Sequence, residues 1–349
     1  MHLLQHFKEL TLHPKNAQEL KGLILQLAIQ GKLTSNWRKE NPNTQDTLSL
    51  LKQIQKDKEK LIKEKKIKKE KPLLPITDDE IPYELPKGWI WCRLGQTGYT
   101  QTGSTPPTKD SKNFGDFIPF IGPADISNQI MKYPEEGLSE LGLSIGRLIL
   151  QNSLMMVCIG GSIGKCNVNE IDVSCNQQIN TLTPLTIPVI FVKNVCQSPY
   201  FQKFVIDKSS GSATPIINKG KWEMIPFPLP PLEEQKAIVE VVETLFKEVE
   251  QLEQLTIERI TLKEKFVVSA LNQLTINNTK KEWDFIKEHF HSFFNEKNNI
   301  KKLRETVLQL AVQGKLTADW RANNTDIEDA SVLLKRIQKE KAQLIKEKK

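Results

Sequence analysis

Leu25-Gln26-Leu27-Ala28-Ile29-Gln30-Gly31-Lys32-Leu33-Thr34 near the start of the chain and Leu308-Gln309-Leu310-Ala311-Val312-Gln313-Gly314-Lys315-Leu316-Thr317 near its end are one phrase written twice. The match runs over residues 20–66 and 303–349, through Trp37-Arg38 and Trp320-Arg321, at a constant offset of 283 with more than half of the positions identical. Copies so far apart do not stack as a solenoid; they bracket what lies between them. In each copy apolar residues recur at three- and four-residue spacing: Leu20, Leu23, Ile24, Leu27 and Ala28 in the first, Leu303, Val307, Leu310 and Ala311 in the second. That spacing predicts a helix which Gly31 or Gly314 stops in a left-handed turn. A second helix is expected behind the capping aspartates Asp46 and Asp329. Leu50, Leu51, Ile54, Leu61 and Ile62 give it an apolar stripe in a charged, exposed surface, and Pro72 and Pro75 are expected to end its first copy.

Between the copies the texture changes. From about residue 81 to 227 short apolar runs alternate with Gly, Pro, Ser and Asn, the pattern of short strands. Residues 89–94 alternate, 118–121 are short, and 154–159 form a continuous apolar run suited to a buried strand before the turn Gly160-Gly161-Ser162-Ile163-Gly164. Residues 189–195 and 200–205 read as short helices, the second entered through Ser198-Pro199. After Pro230-Pro231 a long helix opens on Glu233 and Glu234, where the helix dipole favours anions. Its Ile238, Val242, Leu245, Val249 and Leu252 step by four and three, a coiled-coil seam. Continued to Leu274, it would be a rod of roughly 60 Å that must bury its seam against another helix. The expected class is α+β, one mixed domain joined to long coiled-coil-forming helices. Its parts are a helical region at 1–66, a linker at 67–80, the mixed domain at 81–229, the long helix at 230–276, a connector at 277–300 and the second copy at 301–349.

Charge is uneven. The formal net charge is +7, yet residues 52–71 alone hold ten lysines against four acids, and residues 80–230 balance twelve bases with twelve acids. Net charge therefore does not make the domain a nucleic-acid binder; a basic face must come from clustering, as of Lys203, Lys208, Lys219 and Lys221. The lysine run complements the long helix, where residues 233–265 carry nine acids against five bases, and packing between the two is expected. Five cysteines without a Cys-x-x-Cys read as reduced and buried. No segment is apolar enough to span a membrane, and Met1-His2-Leu3-Leu4-Gln5-His6-Phe7-Lys8 lacks the build of a signal peptide, so a cytosolic protein is expected.

Catalytic patterns fail. Gly160-Gly161-Ser162-Ile163-Gly164-Lys165 lacks the first glycine of a phosphate loop and has Cys166 where the magnesium-binding hydroxyl belongs, so it reads as a strand-linking turn. Glu64-Lys65-Lys66 in a lysine-rich helix is not a nuclease signature, and the histidines (His2, His6, His13, His289, His291) lie outside the domain. A non-catalytic recogniser and spacer fits; a coiled-coil scaffold with a protein-binding domain is the alternative.

Several segments in order carry a resemblance. They are Leu85-Pro86-Lys87-Gly88-Trp89, Gly103-Ser104-Thr105-Pro106, Asn176-Gln177-Gln178-Ile179, Gly211-Ser212-Ala213-Thr214 through Ile217-Asn218, and Pro228-Leu229-Pro230-Pro231-Leu232-Glu233-Glu234-Gln235. With Leu303-Arg304-Glu305 and its continuation, the chain resembles the specificity subunit of type I restriction-modification enzymes. The resemblance implies a target-recognition domain that reads half of a split site in double-stranded DNA, and helices that set the spacing and dock methyltransferase subunits. A nuclease-translocase subunit would complete the complex, and S-adenosylmethionine, ATP and magnesium would belong to those partners, with no cofactor held by this chain. Typical members carry two recognition domains and this chain carries one, which suggests two chains pairing through their helices over an inverted repeat. Base-reading and phosphate-binding candidates, chosen as donors on loops, are Ser104, Thr105, Lys109, Lys112, Asn128, Gln129, Ser162, Lys165, Gln177, Gln178, Ser212, Thr214, Lys219 and Lys221, with Lys219 and Lys221 expected to act through phosphate.

Overall fold

A computed structural model describes residues 16–43, 46–277 and 280–347. Residues 1–15, with His2, His6, His13 and the N-terminus weighed as a signal peptide, lie outside the described residues, as do Lys348 and Lys349. The first copy folds as α1 (Asn16–Ile29), α2 (Ser35–Glu40) and α3 (Thr47–Lys63). Gly31 sits at φ 65°, and a Cβ there would come within 2.6 Å of Pro86 and 3.0 Å of Trp89, so glycine is required both for the turn and for close approach of the domain. Asp46 caps α3 by accepting from the amides of Leu48 and Ser49. The helix stops at Lys63, well before Pro72: Lys65 takes φ 59° and the amides of Lys65 and Lys66 close back on Ile62 and Leu61.

Two expectations about this copy need correction. The face of α1 that enters the core is Leu25, Ala28 and Ile29, while Leu20, Leu23 and Leu27 are only half-buried. Nor does α3 stay solvated: Leu50 and Ile54 are buried and seat it on β2 and the turn Leu94–Gln96. At about 2 kcal/mol for each fully buried aliphatic side chain, Leu25, Ile29, Leu50 and Ile54 outweigh surface ion pairs worth about 0–1 kcal/mol. The lysine run accordingly does not follow the acidic helix. Among the described residues its ion pairs are Lys58 to Glu70 (2.5 Å) and Lys66 to Glu64 (2.9 Å), whereas Glu250 and Glu234 of the long helix pair with Lys21 and Arg38.

The mixed domain comprises β1 (Ile90–Arg93), β2 (Gly98–Thr102), β3 (Phe114–Gly115), β4 (Ile118–Ile121), β5 (Gly137–Leu138), α4 (Glu140–Ile145), β6 (Leu154–Val157), β7 (Cys166–Val168), β8 (Ser174–Cys175), β9 (Ile179–Pro184), α5 (Val189–Gln197), α6 (Pro199–Lys208), α7 (Lys219–Glu223) and β10 (Pro226–Leu229). β1 pairs with β10; β2-β9-β6-β7 is an antiparallel sheet; β3-β5-β4-β8 is a second sheet whose β4–β8 pair is parallel. The continuous apolar run of β6 is explained by period-two geometry, which sends successive side chains to opposite faces. Leu154 and Met156 join the main core with Phe191, Phe201, Trp222 and Phe227, while Met155 and Val157 join a second core with Ile121, Ile149 and Ile179. Residues 67–80 are no free linker. Arg93, 2 % exposed, donates to the carbonyls of Leu74 (2.9 Å), Pro75 (2.6 Å) and Met224 (2.6 Å) and forks onto both oxygens of Glu80 at 2.9 and 2.6 Å.

The long helix α8 (Leu232–Asn277) follows. The chain divides into two compact units between Glu253 and Gln254, within α8. In the first, Ile238 and Val242 of the expected seam lie in the main core, Val249 is buried, and Leu245 and Leu252 are half-buried. In the second, the same spacing continues at Val267, Leu271 and Leu274, which pack with Ile286, Phe294 and Leu310. The expected connector is therefore part of a core, folded as α9 (Lys280–Glu288) and α10 (Phe290–Phe293). The second copy forms α11 (Lys297–Val312), α12 (Ala318–Asn323) and α13 (Ala330–Lys346), the last capped by Asp329.

First copy and domain meet at Glu234, 1 % exposed on the opening turn of α8. One carboxylate oxygen accepts from Thr34 Oγ1 (2.6 Å) and Arg38 Nη1 (2.5 Å), the other from Trp89 Nε1 (2.8 Å). Breaking a buried pair from one side costs about 3–5 kcal/mol. Glu234→Ala is expected at the low end, roughly 3 kcal/mol, because the Arg38 side chain keeps 23 % exposure and can rehydrate; chemical denaturation checks this, and a loss under about 1 kcal/mol would refute the node. A second expectation concerns acid. The Arg93 hydrogen bond, against the opposing effect of burial, holds the Glu80 carboxyl at about 2 instead of 4.5. Because the folded value is the lower one, this stabilisation is complete above pH 4.5 and drains away as pH falls toward 2, so Glu80→Gln should melt with a shallower pH dependence than the wild type across that window.

Candidate nucleic-acid interface

Strand register gathers the candidate loops. Thr102 at the end of β2 lies opposite Asn180 at the start of β9; Val157 at the end of β6 lies opposite Ile179, and Met156 opposite Cys166 at the start of β7. The loops at 103–113, 158–165 and 176–178 therefore leave one end of the same sheet. Three further segments are tied to that end. Ile159 bridges Ile216 and the Gly160 amide donates to Pro215, which brings in residues 210–217. Asn128 Oδ1 accepts from the Cys166 amide at 3.1 Å, which brings in 127–130. Arg147 Nη1 donates to the Thr102 carbonyl at 2.7 Å, which brings in 146–148.

Individual side chains divide by what they already do. Gln178 is framework: its amide and Oε1 close on Asn176 at 3.0 and 3.3 Å, and its carbonyl accepts from Cys158. Asn128 is framework through its oxygen, as is the half-buried Ser104, whose amide donates to Cys175. Thr105 donates to Gln177 Oε1 at 2.6 Å, which orients the exposed Gln177 amide and leaves its nitrogen without a partner among the described residues. Gln129, Lys165, Ser212 and Thr214 are exposed, Ser162 is half-exposed, and Lys109 and Lys112 are exposed on the loop after β2, with Lys112 in a turn capped by Asp110. The segment 158–165 is the expected strand-linking turn, with Gly160 and Gly164 at φ 93° and 87°.

Lys219 lies elsewhere. Its ammonium contacts Glu223, Thr100 Oγ1 at 2.8 Å and Glu70 at 3.7 Å, against the middle of β2 and away from the loop-bearing end. Lys221 hydrogen-bonds Ser210 Oγ at 2.8 Å and the Lys208 carbonyl at 3.3 Å, so it flanks the 210–217 loop. Lys208 and Lys221 line a cavity shared with Glu80 and Asp207, which makes that corner mixed in charge. Arg147 was not among the candidates, although residues 81–229 hold only two arginines and the other, Arg93, is consumed in the interior. Its place behind the helix Glu140–Ile145 and Gly146 gave no hint that it reaches the end of β2. All five cysteines are buried free thiols, and burial pushes those of Cys158, Cys166 and Cys175 up to about 12, so they are not nucleophiles at neutral pH. Among the described residues no helix is long and apolar enough to cross a membrane.

Comparison with known proteins gives a consistent result. The family model described as the type I restriction modification DNA specificity domain matches residues 86–262. The specificity subunits of the Escherichia coli type I restriction enzymes EcoEI and EcoAI are 32 % and 31 % identical to this chain over 95 % of its length. The chain covers 56 % of each, so it spans about half the length of the curated relatives it matches. Among solved structures, the HsdS subunit from Thermoanaerobacter tengcongensis aligns over 68 % of this chain and 51 % of that one, with 19 % identity and a TM-score of 0.40. The motifs that bound the mixed domain, from Pro86 to the helix start at Leu232-Glu233-Glu234, fall inside the matched span, and the chain belongs to the family of type I restriction-modification DNA specificity subunits.

Proposed function

We propose that this chain is a DNA-recognition module of a type I restriction-modification complex, in which the mixed domain reads one half of a split duplex site. The observation that carries the reading is the convergence of loops at one end of the β2-β9-β6-β7 sheet, tied there by backbone and side-chain hydrogen bonds and bearing exposed donors. Gln177, held by Thr105, and Arg147, held by the Thr102 carbonyl, are the groups suited to base edges, since amide and guanidinium make the bidentate contacts that distinguish bases. Lys165, Lys109 and Lys112 are suited to phosphate, with Ser212, Thr214 and Gln129 at the flanks. Lys219 is assigned to stability, and Lys221 remains a flanking phosphate candidate. Recognition without catalysis is the proposed role. Methyltransferase and nuclease-translocase subunits supply S-adenosylmethionine, ATP and magnesium chemistry, and the helices set the position of the domain relative to them. Family membership weighs against the scaffold alternative.

The test is duplex binding by the full chain with its methyltransferase subunits, measured by anisotropy against a selected site and random sequence. Gln177→Ala and Arg147→Ala are each expected to lose about 1–3 kcal/mol for the selected site and little for random DNA. Lys165→Ala should weaken both equally and lower the salt slope by about one. If all three bind like the wild type, the reading face lies elsewhere.

A further inference from the structure

The hairpin at residues 126–131 carries an apolar side chain that stands outside the core. Ile126 bridges Met131, and both serve the second core, Ile126 buried within it and Met131 packed against it. Successive residues of an extended chain point to opposite faces, so the next pair, Ser127 and Ile130, faces away from that core. The pair is locked. The Ser127 amide donates to the Ile130 carbonyl at 3.0 Å, the Ile130 amide donates to Ser127 Oγ at 2.9 Å, and that hydroxyl donates to the Ile130 carbonyl at 2.8 Å. The tip is pinned to the sheet as well. Besides the bond from the Cys166 amide to Asn128 Oδ1, Gln197 Nε2 donates to the carbonyls of Asn128 (3.0 Å) and Cys166 (2.9 Å), and Asn167 Nδ2 donates to the Ser127 carbonyl at 2.9 Å.

Ile130 is 64 % exposed, more than any other large apolar side chain described in residues 81–229. A single exposed isoleucine is ordinary on a protein surface. Rigidity and place set this one apart. Its backbone is held at both the N–H and the carbonyl, and β-branching restricts its χ1, so a contact made there forfeits little conformational entropy. Its hairpin is fastened to the start of β7, at the loop-bearing end of the sheet.

We propose that Ile130 is a specificity contact for the 5-methyl group of a thymine in the major groove, an assignment that rests on the DNA face proposed at this end of the sheet. The thymine methyl is the apolar feature that the major groove displays, and apolar side chains read it. Donors such as Gln177 and Arg147 read nitrogen and oxygen edges and do not sense a methyl group, so Ile130 adds information that they lack. In the sheet order β2-β9-β6-β7, the Gln177 loop enters β9 and the hairpin is fixed at β7. With neighbouring strands about 4.8 Å apart, these two positions are separated by about 10 Å, roughly three base steps of about 3.4 Å. The thymine is therefore expected within about four base pairs of the base that Gln177 reads.

The full chain with its methyltransferase subunits is titrated with the selected duplex and with copies in which each thymine in turn is replaced by deoxyuridine, which removes the 5-methyl group alone. In the wild type one such replacement within that reach should weaken binding about fourfold, the effect of withdrawing one buried methyl group. Ile130→Ser should bind the thymine duplex more weakly by at least that factor, bind random duplex as before, and show no response to the same replacement. Ile130→Val should keep the response. Because the side chain is exposed, both variants should unfold at the wild-type temperature. The proposal is overturned if wild type and Ile130→Ser respond alike at every thymine, or if no thymine within reach affects binding. It is overturned as well if Ile130→Ser loses methyltransferase binding while keeping the thymine response, since Ile130 would then be a protein contact. Gln177→Ala and Arg147→Ala, measured alongside, keep two failures apart. Loss of specificity in these two without any change in Ile130→Ser removes this contact alone, whereas wild-type behaviour in all three removes the DNA face itself.

Discussion

A buried carboxylate organises the first unit. Glu234 stands at the start of α8, where the helix dipole favours its charge, and takes hydrogen bonds from the first copy (Thr34, Arg38) and from the edge of the mixed domain (Trp89). Three segments distant in sequence thus share one buried anion. Each needs the other two, because an uncompensated charge in the interior is far more unfavourable than a gap in an apolar contact. The apolar contribution comes from the surrounding side chains, while the carboxylate fixes which surfaces may meet and in what register. Arg93 plays the corresponding part on the other side, fixing residues 74–80 and the carbonyl of Met224 around one guanidinium.

The frame so fixed lets loops project from the domain without carrying its stability. β6 sends alternate residues into two cores, so the sheet is locked from both faces, and the loops at its end lie beyond the last paired residues. Backbone bonds such as Ser104 to Cys175 and Gly160 to Pro215 set where the loops run, while exposed side chains on them take no part in the core. Chemistry at the tips is thereby separated from stability at the base.

Much of this was legible in the sequence, for identifiable reasons. The duplicated helices, the caps at Asp46 and Asp329, the left-handed Gly31 and Gly314, the buried run of β6 and the seam of α8 are all local patterns set by backbone geometry. What escaped was the choice among competing partners. The repeat helix has two apolar faces, and nothing in its spacing says that the first copy turns Leu25 and Ile29 inward while the second turns Leu303 and Leu310. Lys219 and Arg147 are both basic residues in irregular segments; tertiary pairing consumes the former with Glu223 and Glu70 and leaves the latter exposed beside β2. Charge complementarity between the lysine run and α8 was a sound average that lost to the apolar seat of Leu50 and Ile54.

Thr34 and Glu234 are 200 residues apart in the chain. At about 5–20 residues per second, a ribosome needs roughly 10–40 s to deliver the second after the first. For most of that interval Leu25 and Ile29 wait for α5 and α6, the helices on which α1 packs, whereas Leu50 and Ile54 can seat on β2 as soon as it is made. A nascent chain of this kind therefore presents the apolar face of α1 early and covers it late, so the first helix made is among the last to find its place.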